Sequence, residues 1–206
     1  AAGGDSSAVQ DQLKTVQQIH TTRAGAFAAI LVDGSVVTWG QAEYGGDSSS
    51  VQEQLRNVKL MQASYGGFAA ILGDASVVAW GHPTFGGDCS AVQHQLKGAQ
   101  QIQSTMGAFA AILGDGSVVT WGHADGGGDS SAVQGQLKNV QQIQASDAAF
   151  AALLLDGSVV TWGDTRYGGD SRAVQDQLKH VQRIQASVWA FAALLADGSV
   201  VTWGDA

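Results

Sequence analysis

Five copies of one unit fill the chain, and that periodicity constrains the fold more than any single motif does. Trp-Gly recurs at Trp39, Trp80, Trp121, Trp162 and Trp203, always 41 residues apart. Phe27, Phe68, Phe109, Phe150 and Phe191 keep the same spacing. Gly-Gly-Asp recurs with its carboxylate at Asp5, Asp47, Asp88, Asp129 and Asp170. A single extra residue between Ile19 and Phe27 accounts for the one irregular interval. The expected organisation is one domain, 1–206, with repeats at about 1–41, 42–82, 83–123, 124–164 and 165–206.

Each unit has the same local pattern. Val9, Leu13 and Val16 follow an Asp/Ser cap at i, i+4, i+7 spacing, which predicts one or two helical turns. Val16 to Thr21 reads as a first strand and Ala26 to Val32 as a second. Asp33-Gly34 is a two-residue turn, with the glycine free to take positive φ. Ser35 to Trp39, rich in Val and Trp, reads as a third strand. The second strand is apolar on both faces, with Phe27, Ala29 and Leu31 on one and Ala28 and Ile30 on the other. Such a sheet needs a neighbour on each side. Small antiparallel sheets stacked face to face around an axis satisfy that need, so the expected fold is an all-β propeller of five blades.

Closure is expected from the connections. Four residues separate Trp-Gly from the next Gly-Gly in every unit, and Asp205, Ala206, Ala1 and Ala2 also make four. Open solenoids need polar terminal repeats to cap their ends. The first and last units here are as apolar as the middle ones, which favours a closed ring over the alternatives of a short solenoid or a ring completed by another chain.

Val181-Gln-Arg-Ile184-Gln-Ala, Phe191-Ala-Ala-Leu-Leu and Asp197-Gly-Ser-Val-Val-Thr-Trp203-Gly204 together resemble the regulator-of-chromosome-condensation repeat. The likeness covers about half of every unit. It implies a β-propeller in a family that serves mostly as protein-interaction platforms. Some of its members promote nucleotide exchange on a small GTPase, and others act in ubiquitin transfer or light sensing. Gly34, Gly116, Gly157, Gly198 and the Trp-Gly pairs match the family's structural positions. The family's usual seven blades and longer repeats are not matched, and Phe stands where its second strand carries His. No catalytic residue is carried over, and the chain reads as a non-enzyme.

Composition narrows the partners. The formal charge is −8 with no basic stripe, which argues against nucleic acid. Apolar runs such as Ala26 to Val32 are too short to span a bilayer. One cysteine, Cys89, excludes an intrachain disulfide and leaves the compartment open. Antiparallel pairing puts the loop after the first strand and the exit loop after Trp-Gly at one end of the blade. These loops vary, whereas the Asp-Gly turns at the other end hardly do. The first loops present Arg23, Tyr65, Met106, Asp147 and Trp189, and the exit loops present Tyr44, Phe85 and Tyr167. All five aromatics outside the repeat framework fall there. Aromatic and Arg side chains anchor binding surfaces, so these eight residues are the candidate contacts of a protein partner. Tyr44, Phe85 and Tyr167 occupy equivalent positions just before Gly-Gly, which favours wedging between blades over contact with a partner.

Other constellations are weaker. Gln41, His82, His123, Asp164 and Asp205 follow Trp-Gly, but blade tips diverge, so no metal is expected there. The Asp-Ser caps satisfy their own backbone donors and repel anions. The repeated pairs from Gln10/Gln12 to Gln175/Gln177 either bond backbone or form a lectin-like ring of sugar pockets. No cofactor is expected.

Overall fold

The computed structural model describes residues 3–205 and gives each unit one three-stranded antiparallel meander. The first sheet comprises β1 (Val16–Thr21), β2 (Ala26–Leu31) and β3 (Val36–Gly40). The second comprises β4 (Val58–Ala63), β5 (Gly67–Leu72) and β6 (Val77–Gly81). The third comprises β7 (Ala99–Ser104), β8 (Ala108–Leu113) and β9 (Val118–Gly122). The fourth comprises β10 (Val140–Ala145), β11 (Ala149–Leu154) and β12 (Val159–Gly163), and the fifth β13 (Val181–Ala186), β14 (Ala190–Leu195) and β15 (Val200–Gly204). The expected strands are found within a residue at each end. The expected helical turn after Gly-Gly-Asp is a 3-10 turn at Ser7–Val9 and at Gln175–Gln177, and irregular turns in the middle units. Each first strand carries a register shift near its start, as between Val16 and Gln18.

Side chains of alternate parity on the central strand serve different interfaces. Ala26, Ala28 and Ile30 of β2, with Val36, pack on Met61, Phe68, Ala70 and Trp80 of the second sheet. The same surfaces meet between the second and third, third and fourth, and fourth and fifth sheets. Within every sheet the cross-strand Phe and Trp stack, with ring centroids 5.1–5.4 Å apart. The indole N–H of Trp80, Trp121, Trp162 and Trp203 donates to the carbonyl of Gly45, Gly86, Gly127 and Gly168, so a buried polar group is satisfied.

A fifth interface, between the last sheet and the first, is not among these cores. Ile19 is 60% exposed where its equivalents Met61 and Ile102 are 1%, and Val200 is 61% exposed where Val36 is 1%. Packing between the described residues therefore does not close the ring expected from the connections. Loop length is a weak test of closure. The angle between sheets decides it, and side-chain volumes at the interfaces set that angle. Of the residues that counted toward the seam, Ala1, Ala2 and Ala206 lie outside the described residues.

In four of the five pairs the first glutamine ties neighbouring blades together. Gln52 Nε2 donates to the Val36 carbonyl (3.0 Å) of the preceding sheet, while its Oε1 accepts from Ser48 Oγ (2.8 Å). Gln93, Gln134 and Gln175 repeat the clip on Val77, Val118 and Val159. Cys89 replaces the serine, and its thiol donates to Gln93 Oε1 (3.0 Å). Burial pushes that thiol up, which keeps it protonated and unreactive.

Three outcomes follow from these contacts. Gln134→Ala leaves the Val118 carbonyl without its partner and is expected to lower unfolding stability by about 1–2 kcal/mol in denaturant titration. Ala75 stands at φ 64°, where the equivalent turns have glycine. Ala75→Gly is expected to raise stability by about 1 kcal/mol in the same measurement, because the left-handed region costs an alanine that much. The third concerns acid. Asp47, Asp88 and Asp129 are held below the usual carboxylate range, first by the backbone N–H two residues on. Asp33, Asp74, Asp115, Asp156 and Asp197 are lowered first by a serine hydroxyl in the turn. Asp170 falls to about 2, chiefly through the Arg172 side chain. A depressed native pKa adds stability above the unfolded value and loses it as pH falls through the native one. The melting temperature should be flat near neutrality and fall from about pH 4 toward pH 2; a flat profile across that window would contradict the assignment.

Candidate functional site

The two sets of variable loops do meet at one end of the sheets. His82 N–H donates to the Gly66 carbonyl and His123 N–H to that of Gly107, each joining an exit loop to the first loop of its own sheet. A buried hydroxyl adds a second tie. Ser64 Oγ donates to the Phe85 carbonyl (2.6 Å), Thr105 Oγ1 to that of Gly126 (2.9 Å) and Ser146 Oγ to that of Tyr167 (2.8 Å). The exit loops form one-turn 3-10 helices at Ala42–Tyr44, Pro83–Phe85, Ala124–Gly126 and Thr165–Tyr167. The sequence pattern did not announce them, because three residues are too few for a periodicity.

The first loops are linked to one another by a backbone ladder. Ala24 N–H donates to Tyr65 O (2.9 Å), Tyr65 to Met106 O (2.8 Å), Met106 to Asp147 O (2.8 Å), and Asp147 to Val188 O (3.1 Å). Four of the eight candidate residues, Tyr65, Met106, Asp147 and the neighbour of Ala24, Arg23, are thus set side by side. Trp189 follows directly. Arg23 reaches from the first sheet to the fourth, donating through Nη1 and Nη2 to both oxygens of Asp147 (3.2 and 3.0 Å). Its Nη1 also lies 3.4 Å from Met106 Sδ. A pair joining the first blade to the fourth requires the loops to converge on an axis, so the rim exists without the fifth interface. A cavity of about 430 Å³ lies beneath, lined in part by Arg23, Tyr65, Met106, Asp147 and Val188.

The aromatics divide as follows. Tyr44 contacts Tyr65 (6.4 Å between centroids), His82 (5.7 Å) and Phe85 (6.4 Å), and Tyr65 contacts Phe85 (4.9 Å). These rings are half-buried and wedge against neighbouring loops while keeping a face to solvent. Tyr167 stacks on Trp189 (4.5 Å), and Trp189 remains 49% exposed.

The other constellations are spoken for. His82 Nδ1 accepts from Thr84 N–H and its Nε2 lies 3.5 Å from Glu43. Asp164 pairs with Arg166 (2.7 Å), which holds its carboxyl below the usual range. No cluster of three or more His, Cys, Asp or Glu suited to a metal occurs among the described residues. A five-fold sugar ring would have to forgo Gln52, Gln93, Gln134 and Gln175, whose amides are engaged in the clips. Lys97, Lys138 and Lys179 are exposed near the opposite, Asp-Gly end. Sequence reasoning missed a second set of amides. Gln62, Gln101, Gln103, Gln141, Gln142 and Gln182 on the first strands line a cavity of about 460 Å³ between the sheets. The signal was the Gln-rich pattern of those strands, in which Gln62, Gln101, Gln103 and Gln142 stand next to Met61, Ile102 and Ile143.

No family model and no curated protein matches the sequence. Solved structures do. Human WBSCR16 matches at a TM-score of 0.60 and 17% identity, over 92% of this chain and 61% of its own. Yeast RCC1 (Prp20), in the structure with Kap60 bound, matches at 0.60 and 18%, over 95% and 57%. The ectodomain of the Physcomitrella patens receptor kinase CR4 matches at 0.54 and 17%, over 87% and 49%. The chain thus spans about half to three-fifths of these proteins. Five meandering sheets with Trp-Gly at each exit, superposing on those proteins over nearly all of this chain, give it the fold of the RCC1-type β-propellers.

Proposed function

We propose that the chain is a non-enzymatic protein-binding scaffold, and that residues 1–206 act as one domain whose contact surface is the loop rim. The backbone ladder from Ala24 to Val188 carries the reading. It holds five loops in one continuous surface while the side chains on it change from Arg23 to Tyr65, Met106, Asp147 and Trp189. A rigid support with unlike side chains suits one extended partner better than five equal small ligands. The chemistry agrees. Trp189 and Tyr65 offer large apolar area at little entropic cost, and the Arg23–Asp147 pair sets a polar group among them. Proteins of the same fold support it by analogy: yeast Prp20 has been described for its binding to Gsp1p and histones, and crystallised with Kap60.

The test begins with cross-linking and mass spectrometry to identify the partner, followed by titration of the purified pair. Trp189→Ala and Tyr65→Ala are each expected to weaken binding at least tenfold, about 1.4 kcal/mol. Lys138→Ala, at the opposite end, should leave it unchanged. Binding that tracks Lys138 and ignores Trp189 and Tyr65 would place the interface elsewhere. Glycan binding at several equivalent sites would replace the scaffold by the lectin.

A further inference from the structure

Of the four exit loops within the described residues, one lacks the ring that the other three carry. The four 3-10 turns share a backbone, each closed by a left-handed glycine at Gly45, Gly86, Gly127 and Gly168. Their last residues are Tyr44, Phe85, Gly126 and Tyr167. The carbonyl of Gly126 is held by Thr105 as those of Phe85 and Tyr167 are held by Ser64 and Ser146. The turn is therefore intact and only its side chain is missing. Nothing in the backbone demands glycine. Gly126 is not in the left-handed region, and a Cβ there would meet Gly107 and Thr105 at 3.6 Å, ordinary contact.

The neighbouring units show what the position accommodates. Tyr44 packs on Tyr65, His82 and Phe85. Two units on, the corresponding neighbours of Gly126 are Asp147, Asp164 and Tyr167. The structure has a cavity of about 280 Å³ there, lined by Phe85, Met106, His123, Asp147, Asp164 and Tyr167 among others. That is below the range of about 300–1,000 Å³ typical of drug-sized ligands, so it suits one side chain better than a whole metabolite. Its walls are two aromatic rings and a thioether, which favour a third ring. Its edge carries the carboxylates of Asp125, Asp147 and Asp164, on a chain of net charge −8. Arg23 pairs with Asp147, and Arg166, which also lines the cavity, pairs with Asp164, so the charge left to a partner at this edge is that of Asp125.

We propose that the ring-free position at Gly126 is a docking pocket for one aromatic side chain, tyrosine or tryptophan, of a partner's basic segment. The ring completes the row Tyr44, Phe85, Tyr167 from outside, its hydroxyl or indole N–H faces the polar edge of the cavity, and flanking Lys or Arg meets Asp125. The proposal rests on the scaffold reading and gives that reading a specificity element.

Two peptides test it: acetyl-Lys-Tyr-Lys-amide and acetyl-Lys-Ala-Lys-amide, titrated into the isotope-labelled full chain and followed by amide chemical shifts. The tyrosine peptide should shift Gly107, Gly126 and Tyr167, bind at least tenfold more tightly than the alanine peptide, and weaken with added salt. Gly126→Tyr supplies the ring from the chain itself. It should abolish that binding while keeping or raising the melting temperature. Equal affinity for the two peptides, no shift at millimolar peptide, or undiminished binding to Gly126→Tyr would overturn the pocket. The peptide pair on the unaltered chain decides the matter even if Gly126→Tyr does not fold. A rim interaction lost on Trp189→Ala, alongside peptides that do not bind, would retire the pocket and leave the scaffold standing.

Discussion

A three-stranded sheet whose middle strand is apolar on both faces cannot stand alone in water. Every other feature of this molecule follows from that constraint. Ala26, Ala28 and Ile30 must meet one neighbour, and the surface carrying Phe27 and Trp39 must meet another. Small residues on one face receive the large stacked pair of the next, so each interface interdigitates as a protein interior does. The Gln clips and the Trp-to-Gly bonds then satisfy the polar groups that this packing buries. The same constraint makes the end faces conspicuous. Ile19 and Val200 belong to surfaces built to be covered, and their exposure shows where the array is unsatisfied.

Because packing, clips and turns are carried by the repeated residues, the loops at one end are free to differ without cost to the fold. The backbone ladder fixes their positions through main-chain atoms alone, so any side chain can be mounted on it. This separation of support from chemistry explains how Arg, Tyr, Met, Asp and Trp occupy neighbouring places on the rim. It also explains how one unit can lose an aromatic ring at Gly126 and keep its turn.

Much of this was legible in the residues. The 41-residue spacing and the two-faced second strand gave the sheets, their order and their edges to within a residue. Antiparallel parity placed Arg23, Tyr65, Met106, Asp147 and Trp189 at the same end as Tyr44, Phe85 and Tyr167, and the structure groups them there. The role of the Gln pairs was open between backbone bonding and sugar binding, since a side-chain amide serves either; the carbonyl of Val36 within reach of Gln52 is a fact of the neighbouring sheet. The Arg23–Asp147 pair and the amide-lined cavity were not foreseen, because each joins residues from separate units whose relative rotation leaves no mark on any one of them; the 3-10 turns were not, because three residues carry no periodicity.

The sequence by itself determined the sheet, its turns, the faces to be buried and the end at which variation is tolerated. These depend on local periodicity and on the chemistry of single residues, repeated often enough to be unmistakable. Only the tertiary structure decided how far the sheets sweep around their axis, which loops touch across it, and where a pocket opens between Phe85 and Tyr167. Those outcomes depend on the angle between packed sheets. That angle is a sum over side-chain volumes at each interface, and no single residue records it.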